Sequence, residues 1–290
     1  MATFVLVHGS WAGSVIWREL APRLRKAGHD VYAPTLTGIG ARKHLVSREI
    51  DLNTHIQDVI GVIDDADLSD IVLVGNSYGG MVISGVADRV PEKIASLVYL
   101  DAFVPENGQS SVSLLPPGAH LAPVPGEDWL VAPIPSASFG FKRPEVIALW
   151  EGKSGPHPLA TLTQPLQLTG GIGRVKQKMY ILGTDPARFT QFYDKVKNDP
   201  GWTVHTLPCT TFMQLEMPDE LTAILLKAIP YRTVQNCSFC RRYCPEPGGS
   251  LGSCPSPPAF RSHQIRRVGS SACRLHRGLR HQPAAPGRVV

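Results

Sequence analysis

The chain has 290 residues, of which 43% are hydrophobic, enough to bury a full core as one large domain or as a domain with a tail. Charge is divided unevenly: residues 231–290 hold ten Arg and one acidic residue, Glu246, so residues 1–230 carry a net charge of about −4 within a total of +5. A mildly acidic body excludes the basic footprint of a nucleic-acid-binding domain. No apolar stretch is long enough to span a bilayer, and "MATFVLVHG" has no basic leader region, so a soluble protein in a cytoplasmic setting is expected.

Short apolar runs alternate with helical patterns. "TFVLVHG" (3–9) is β-branched and aromatic and reads as a buried strand. "WRELAPRLRKAG" (17–28) spaces Trp17, Leu20, Leu24 and Ala27 at helical intervals and stops at Gly28. "DVYAP" (30–34) is a second strand, and "NTHIQDVIGVID" (53–64) sets Ile56, Ile60 and Ile63 on one helical face. Strand "IVLVG" (71–75), helix "MVISGVADRV" (81–90) and strand "IASLVYLD" (94–101) follow. Strand "KMYILG" (178–183), helix "ARFTQFYDKVK" (187–197), strand "WTVHTL" (202–207) and helix "PDELTAILLKAI" (218–229) close the body. Six apolar runs alternating with helices predict an α/β fold: a mostly parallel six-stranded sheet with helices on both faces.

Residues 104–175 break the rhythm with Pro, Gly and scattered aromatics, which predicts an inserted cap in a domain spanning residues 1–230. After Ile229 the apolar periodicity stops. Residues 231–290 are rich in Arg, Pro, Ser, Gly and Cys, a composition that cannot offset the entropy of folding and that resembles a reading frame translated out of register. Five of the six cysteines lie in that tail, so no disulfide framework is expected in the body, where only Cys209 occurs. The spacing Cys237, Cys240, Cys244 lacks the second pair or the histidines that zinc sites use, and no metal is expected.

"VLVGNSYGG" (72–80) contains Gly75-Asn76-Ser77-Tyr78-Gly79 between an apolar strand and a helix. A GxSxG sequence in that context is a nucleophile elbow: the chain turns sharply, Ser77 stands at the tip, and glycines avoid collisions two residues to either side. The alternative is a plain glycine turn with a helix-capping serine. "VLVHGSWAG" (5–13) supplies an HG step after the first strand, suited to an oxyanion loop. The backbone N–H groups of Ser10 and Tyr78 would then point at one substrate oxygen. His8 is expected to brace that loop.

Residues 3–229 resemble the α/β-hydrolase superfamily, and within it the branch of plant hydroxynitrile lyases, plant methylesterases and bacterial esterases. The stretches that carry the resemblance are "FVLVHGSWAG", "DVYAPTLTGIG", "HIQDVIGVID", "VGNSYGG", "VYLDAFVPENGQS" and "PDELTAILL". The resemblance implies Ser77 as nucleophile, an oxyanion hole at Ser10 and Tyr78, and a triad in the order Ser, acid, His. It directs the acid to Asp185, in the loop after the penultimate strand, with Asp101 at the end of "SLVYLD" as the alternative. The histidine belongs after the last strand, and there the chain departs from the family: the position is Thr211, in "LPCTTFMQLEMPDEL" (207–221). Threonine is no general base near neutral pH. His205 lies upstream within the strand, about 20 Å away along an extended chain. His157, in the cap, is the other candidate to reach the site.

The expected activity is hydrolysis of a small hydrophobic carboxylic ester through an acyl-enzyme, impaired at Thr211. A cap carrying Trp129, Phe139, Phe141 and Trp150 suits a hydrophobic acyl or alcohol group. A non-catalytic binding protein on the same fold, or a hydroxynitrile-lyase-like lyase, are the alternatives, and the lyase would need the missing histidine too. No phosphate loop or dinucleotide fingerprint occurs, so no cofactor is expected.

Overall fold

The structure, a computed structural model, describes residues 1–119 and 121–230. The expectations for residues 231–290, including the cysteine spacing, lie outside the described residues. Strands β1 (Thr3–Val7), β2 (Asp30–Tyr32), β3 (Ile71–Ser77) and β4 (Ile94–Ala102) alternate with α1 (Leu20–Lys26), α2 (Leu52–Asp65) and α3 (Gly79–Arg89). After a long excursion come β8 (Gln177–Gly183), α6 (Thr190–Val196), β9 (Trp202–Leu207), α7 (Met213–Glu216) and α8 (Pro218–Leu225). The excursion itself contains β5 (Pro123–Val124), β6 (Glu127–Val131), α4 (Pro144–Lys153), β7 (His157–Pro158) and α5 (Leu159–Thr163), with β5-β6-β7 forming a small antiparallel sheet.

The main sheet runs β2-β1-β3-β4-β8-β9, every pairing parallel. Side chains alternate between the two faces of a strand, yet nearly every residue of β3 and β4 is buried. Both faces are therefore covered, which is why these strands read as unbroken apolar runs. Edge strand β9 is mostly half-buried or exposed, with only Leu207 buried, and its sequence is correspondingly mixed. Asp51 caps α2 by accepting from the Thr54 N–H at 2.8 Å.

The strand order reverses direction at β1, whose neighbours are β2 and β3. In open α/β sheets the crevice beyond the strand ends at such a point is where ligands bind. Val7 pairs with Gly75, so the chain segments leaving β1 and β3 emerge side by side. No helix among the described residues is long and apolar enough to cross a membrane.

Candidate active site

Ser77 ends β3 and α3 begins two residues later, so the turn between them is as short as a strand-to-helix junction allows. Its φ of +53° lies in the left-handed region that side chains other than glycine seldom occupy. The flanking glycines have no freedom to be anything else. A Cβ on Gly75 would stand 2.7 Å from the Gly79 carbonyl oxygen, and one on Gly79 would stand 2.6 Å from that of Val7.

The loop after β1 is braced from behind. The ring of His8 is fully buried; its Nδ1–H donates to the Gly9 carbonyl at 2.7 Å and its Nε2 accepts from the Leu36 N–H at 3.0 Å. Those partners fix a neutral tautomer, and burial pushes the pKa down to about 4. His157 accepts from the Trp11 N–H at 3.4 Å and donates to Thr161 Oγ1 at 2.7 Å, while that hydroxyl donates to the Pro158 carbonyl. His55 donates to the Thr37 carbonyl and accepts from the Tyr78 hydroxyl, both at 2.9 Å. The rings of Tyr78 and His157 meet edge to face at 5.2 Å. Both nitrogens of all three histidines are thus committed to structure, and His157 does not reach Ser77. Among the described residues no histidine lines the cavity in front of Ser77, and His205 sits on β9, paired with Ile181.

The two acid candidates have opposite surroundings. Asp185 is more than half exposed and its carboxylate pairs with Lys142, while its backbone N–H donates to the Cys209 carbonyl at 3.1 Å. Asp101 is fully buried, with φ at +44°, and its Oδ1 accepts from the Gly183 N–H at 3.1 Å. Its Oδ2 has no hydrogen-bond partner, and neither has the buried Oγ1 of Thr211. Burial pushes the Asp101 carboxyl up to about 7; the nearby Thr211 hydroxyl, the Gly183 N–H and the charge of Arg188 pull the other way. The Thr211 hydroxyl is close enough to favour the ionised carboxylate without completing a hydrogen bond of normal geometry.

Thr211 is held at the turn between β3 and α3 by Asn76, a contact that the sequence does not predict. Asn76 Nδ2 donates to both the Leu100 and the Thr211 carbonyls at 2.9 Å. The residue before Ser77 thereby ties the end of β4 to the loop after β9. The only sequence signal is its place inside GxSxG, where the motif leaves identity open.

Ser10, Ser77 and Thr211 line one cavity of about 350 Å³. Its walls are mainly Trp11, Phe103, Leu114, Phe139, Leu162 and Phe192, with Arg188 and Gln191 among the few polar members. Of the four aromatics expected to shape it, Phe139 does so, and Phe141 and Trp150 pack behind Phe139 and Phe212. Trp129 points elsewhere, under the guanidinium of Arg48. A smaller void of about 20 Å³ lies between Ser77, Asn76, Thr211 and the rings of Trp11, Trp150 and Phe212.

Residues 4–224 match the alpha/beta hydrolase family. The chain is 47% identical over 238 residues to a carbendazim hydrolyzing esterase of Nocardioides sp. (strain SG-4G), covering 76% of this chain and 97% of that protein. It is 31% identical over 128 residues to salicylic acid-binding protein 2 of Nicotiana tabacum, covering 44% of this chain and 48% of that one. A solved extracellular alpha/beta-hydrolase from a Paenibacillus species superposes with a TM-score of 0.65 at 26% identity, over 79% of this chain and 99% of that one. The chain belongs to the alpha/beta hydrolase family. Within it the chain is a carboxylic-ester hydrolase by type, related also to plant methylesterases and a hydroxynitrile lyase.

Proposed function

We propose that this chain hydrolyses a small hydrophobic carboxylic ester through an acyl-enzyme on Ser77, with turnover held down by Thr211 at the position of the base. The observation that carries it is Ser77 itself: a serine held in the left-handed region at a strand-to-helix turn, facing a mostly apolar cavity. The backbone N–H groups of Ser10 and Tyr78 take the oxyanion role, since the parallel pairing of β1 with β3 brings their two turns together. Asp101 takes the acid position in place of Asp185, because it is buried beside Thr211 whereas Asp185 faces Lys142 and solvent. Carbendazim, the substrate named for the 47% identical relative, is the first compound to assay alongside simple hydrophobic esters.

A second reading, a binding protein without turnover, draws on one observation: no histidine among the described residues lines the cavity. Fluorophosphonate labelling and p-nitrophenyl acetate hydrolysis separate the two. Wild type should form a covalent adduct and release p-nitrophenol, and Ser77→Ala should do neither while keeping its melting temperature. Equal hydrolysis by both proteins would remove Ser77 from the mechanism.

A further inference from the structure

We infer that Asp101, acting through the hydroxyl of Thr211, receives the proton of Ser77 in place of a histidine. The inference rests on the reading of Ser77 as nucleophile. It starts from two unpartnered atoms: Asp101 Oδ2 and Thr211 Oγ1 are both buried, and neither has a hydrogen-bond partner. Leaving a buried polar group unsatisfied costs about 1–3 kcal/mol, so the surrounding structure must hold such a pair in place. It does so from three sides. Asn76 draws in the Thr211 carbonyl, Gly183 N–H fixes Asp101 Oδ1, and Asp101 itself is turned into a left-handed backbone conformation.

Ser77 and Thr211 share the void of about 20 Å³, whose remaining walls include Trp11, Trp150 and Phe212. That volume accommodates one water-sized group. Asp101 does not line the void, whereas Thr211 does, which places Thr211 between the void and Asp101 in the relay. Histidine alternatives are otherwise engaged or elsewhere: His8, His55 and His157 spend both ring nitrogens on structural partners, and His205 stands on β9 and lines neither cavity.

The titratable and charged groups that face Asp101 are Arg188 from the segment after β8, Tyr180 on β8 and Cys209 after β9. Burial keeps Tyr180 well above its ordinary range and pushes Cys209 up to about 12, so both stay protonated at neutral pH. Burial likewise lifts Asp101 to about 7, where a carboxylate is a far better proton acceptor than an exposed one. Threonine is only the conduit in this scheme. As Ser77 Oγ attacks the ester carbonyl, its proton passes to Thr211 Oγ1 while the Thr211 proton passes to Asp101 Oδ2. The bond from acyl carbon to leaving oxygen then breaks, and the proton returns by the same path to the departing alcohol. Water attacks the acyl-enzyme, gives up its proton along that route, and Ser77 leaves with a proton restored. One ester and one water become one acid and one alcohol.

The test is the pH dependence of kcat/KM for p-nitrophenyl acetate in wild type, Ser77→Ala, Asp101→Asn, Thr211→Val and Thr211→Ser, with melting temperatures measured in parallel. Wild type should rise through an inflection near 7. Asp101→Asn and Thr211→Val should each lower the rate about 100-fold and lose that inflection. Thr211→Ser, which keeps the hydroxyl, should retain both rate and inflection. If Ser77→Ala abolishes turnover but Thr211→Val keeps the wild-type rate and profile, the relay is overturned and the nucleophile stands. If Ser77→Ala hydrolyses as fast as wild type, the underlying reading fails and the relay with it.

Discussion

In the proposed mechanism the threonine at position 211 leaves Ser77 without a side chain that takes its proton directly, although Ser10, Ser77 and Thr211 line one cavity. Thr211→His should therefore raise kcat/KM for ester hydrolysis by about two to four orders of magnitude. The new inflection should lie near the ordinary histidine value of about 6.5, and the gain should vanish in the double variant with Ser77→Ala. No gain, with the fold retained, would mean that the loop does not direct residue 211 at Ser77. Asp101 has a cost that can be measured separately. Its carboxyl titrates near 7 in the fold and near 3.9 in an unfolded chain, so its contribution to stability is intact below the unfolded value and is lost as pH rises through 7. Asp101→Asn should thus stabilise the protein by up to about 4 kcal/mol at pH 8 and by little at pH 4, while activity falls. Unchanged denaturant midpoints at both pH values would show that the carboxylate is not desolvated. Asp185→Asn should leave kcat within about twofold, since the exposed pair with Lys142 is of the kind that contributes little. The sequence could not separate these two aspartates. Each ends or follows a strand, and what distinguishes them is burial against a loop more than a hundred residues away.

Elements were more legible than their contacts. The apolar runs of β1, β3, β4 and β8 identify themselves because both faces of a parallel sheet are buried, and β9 emerges at the bounds its sequence predicts, 202–207. The elbow was legible for a steric reason that Gly79 makes concrete. Its missing Cβ would strike the Val7 and His8 carbonyl oxygens, at 2.6 Å and 3.0 Å, both of them backbone. Gly79→Ala should therefore push α3 away from β1, costing about 1–3 kcal/mol by the measure of an overpacked core. Activity should fall more than stability, because the same movement displaces the Tyr78 N–H. A fully active Gly79→Ala protein would show that the two elements have slack. Within the segment 17–28 the helix α1 takes Leu20–Lys26, while Trp17 closes a separate 3-10 turn, Gly13–Trp17. Its apolar spacing is shared by both conformations, so periodicity alone could not divide them. The braces were illegible altogether: Trp11 and His157 are 146 positions apart, and Asn76 reaches Thr211 across 135.

The whole molecule responds to acid through the three histidines buried behind the loop after β1. His8 and His55 are pushed down to about 4 by burial, and His157 lies well below its ordinary value. In an unfolded chain each would titrate near 6.5. Below that pH the unfolded state binds protons that the fold refuses, so stability is full above 6.5 and is lost as pH falls towards 4. For His8 and His55 the loss reaches about 3 kcal/mol each by pH 4, a large share of the roughly 5–15 kcal/mol that stabilises a typical domain. Asp101 opposes the trend, recovering its own cost over the same range, but it is one group against three. The melting temperature should accordingly fall steeply between pH 6 and pH 4. His157→Gln isolates one contribution: its amide can accept from the Trp11 N–H and donate to Thr161, so the bonds of His157 at 3.4 Å and 2.7 Å can be replaced without a titrating ring. The variant should show a slope of unfolding free energy against pH that is shallower by nearly one proton over that interval. An unchanged slope would mean that His157 binds a proton as readily in the fold as outside it, and that the histidine block is open to water.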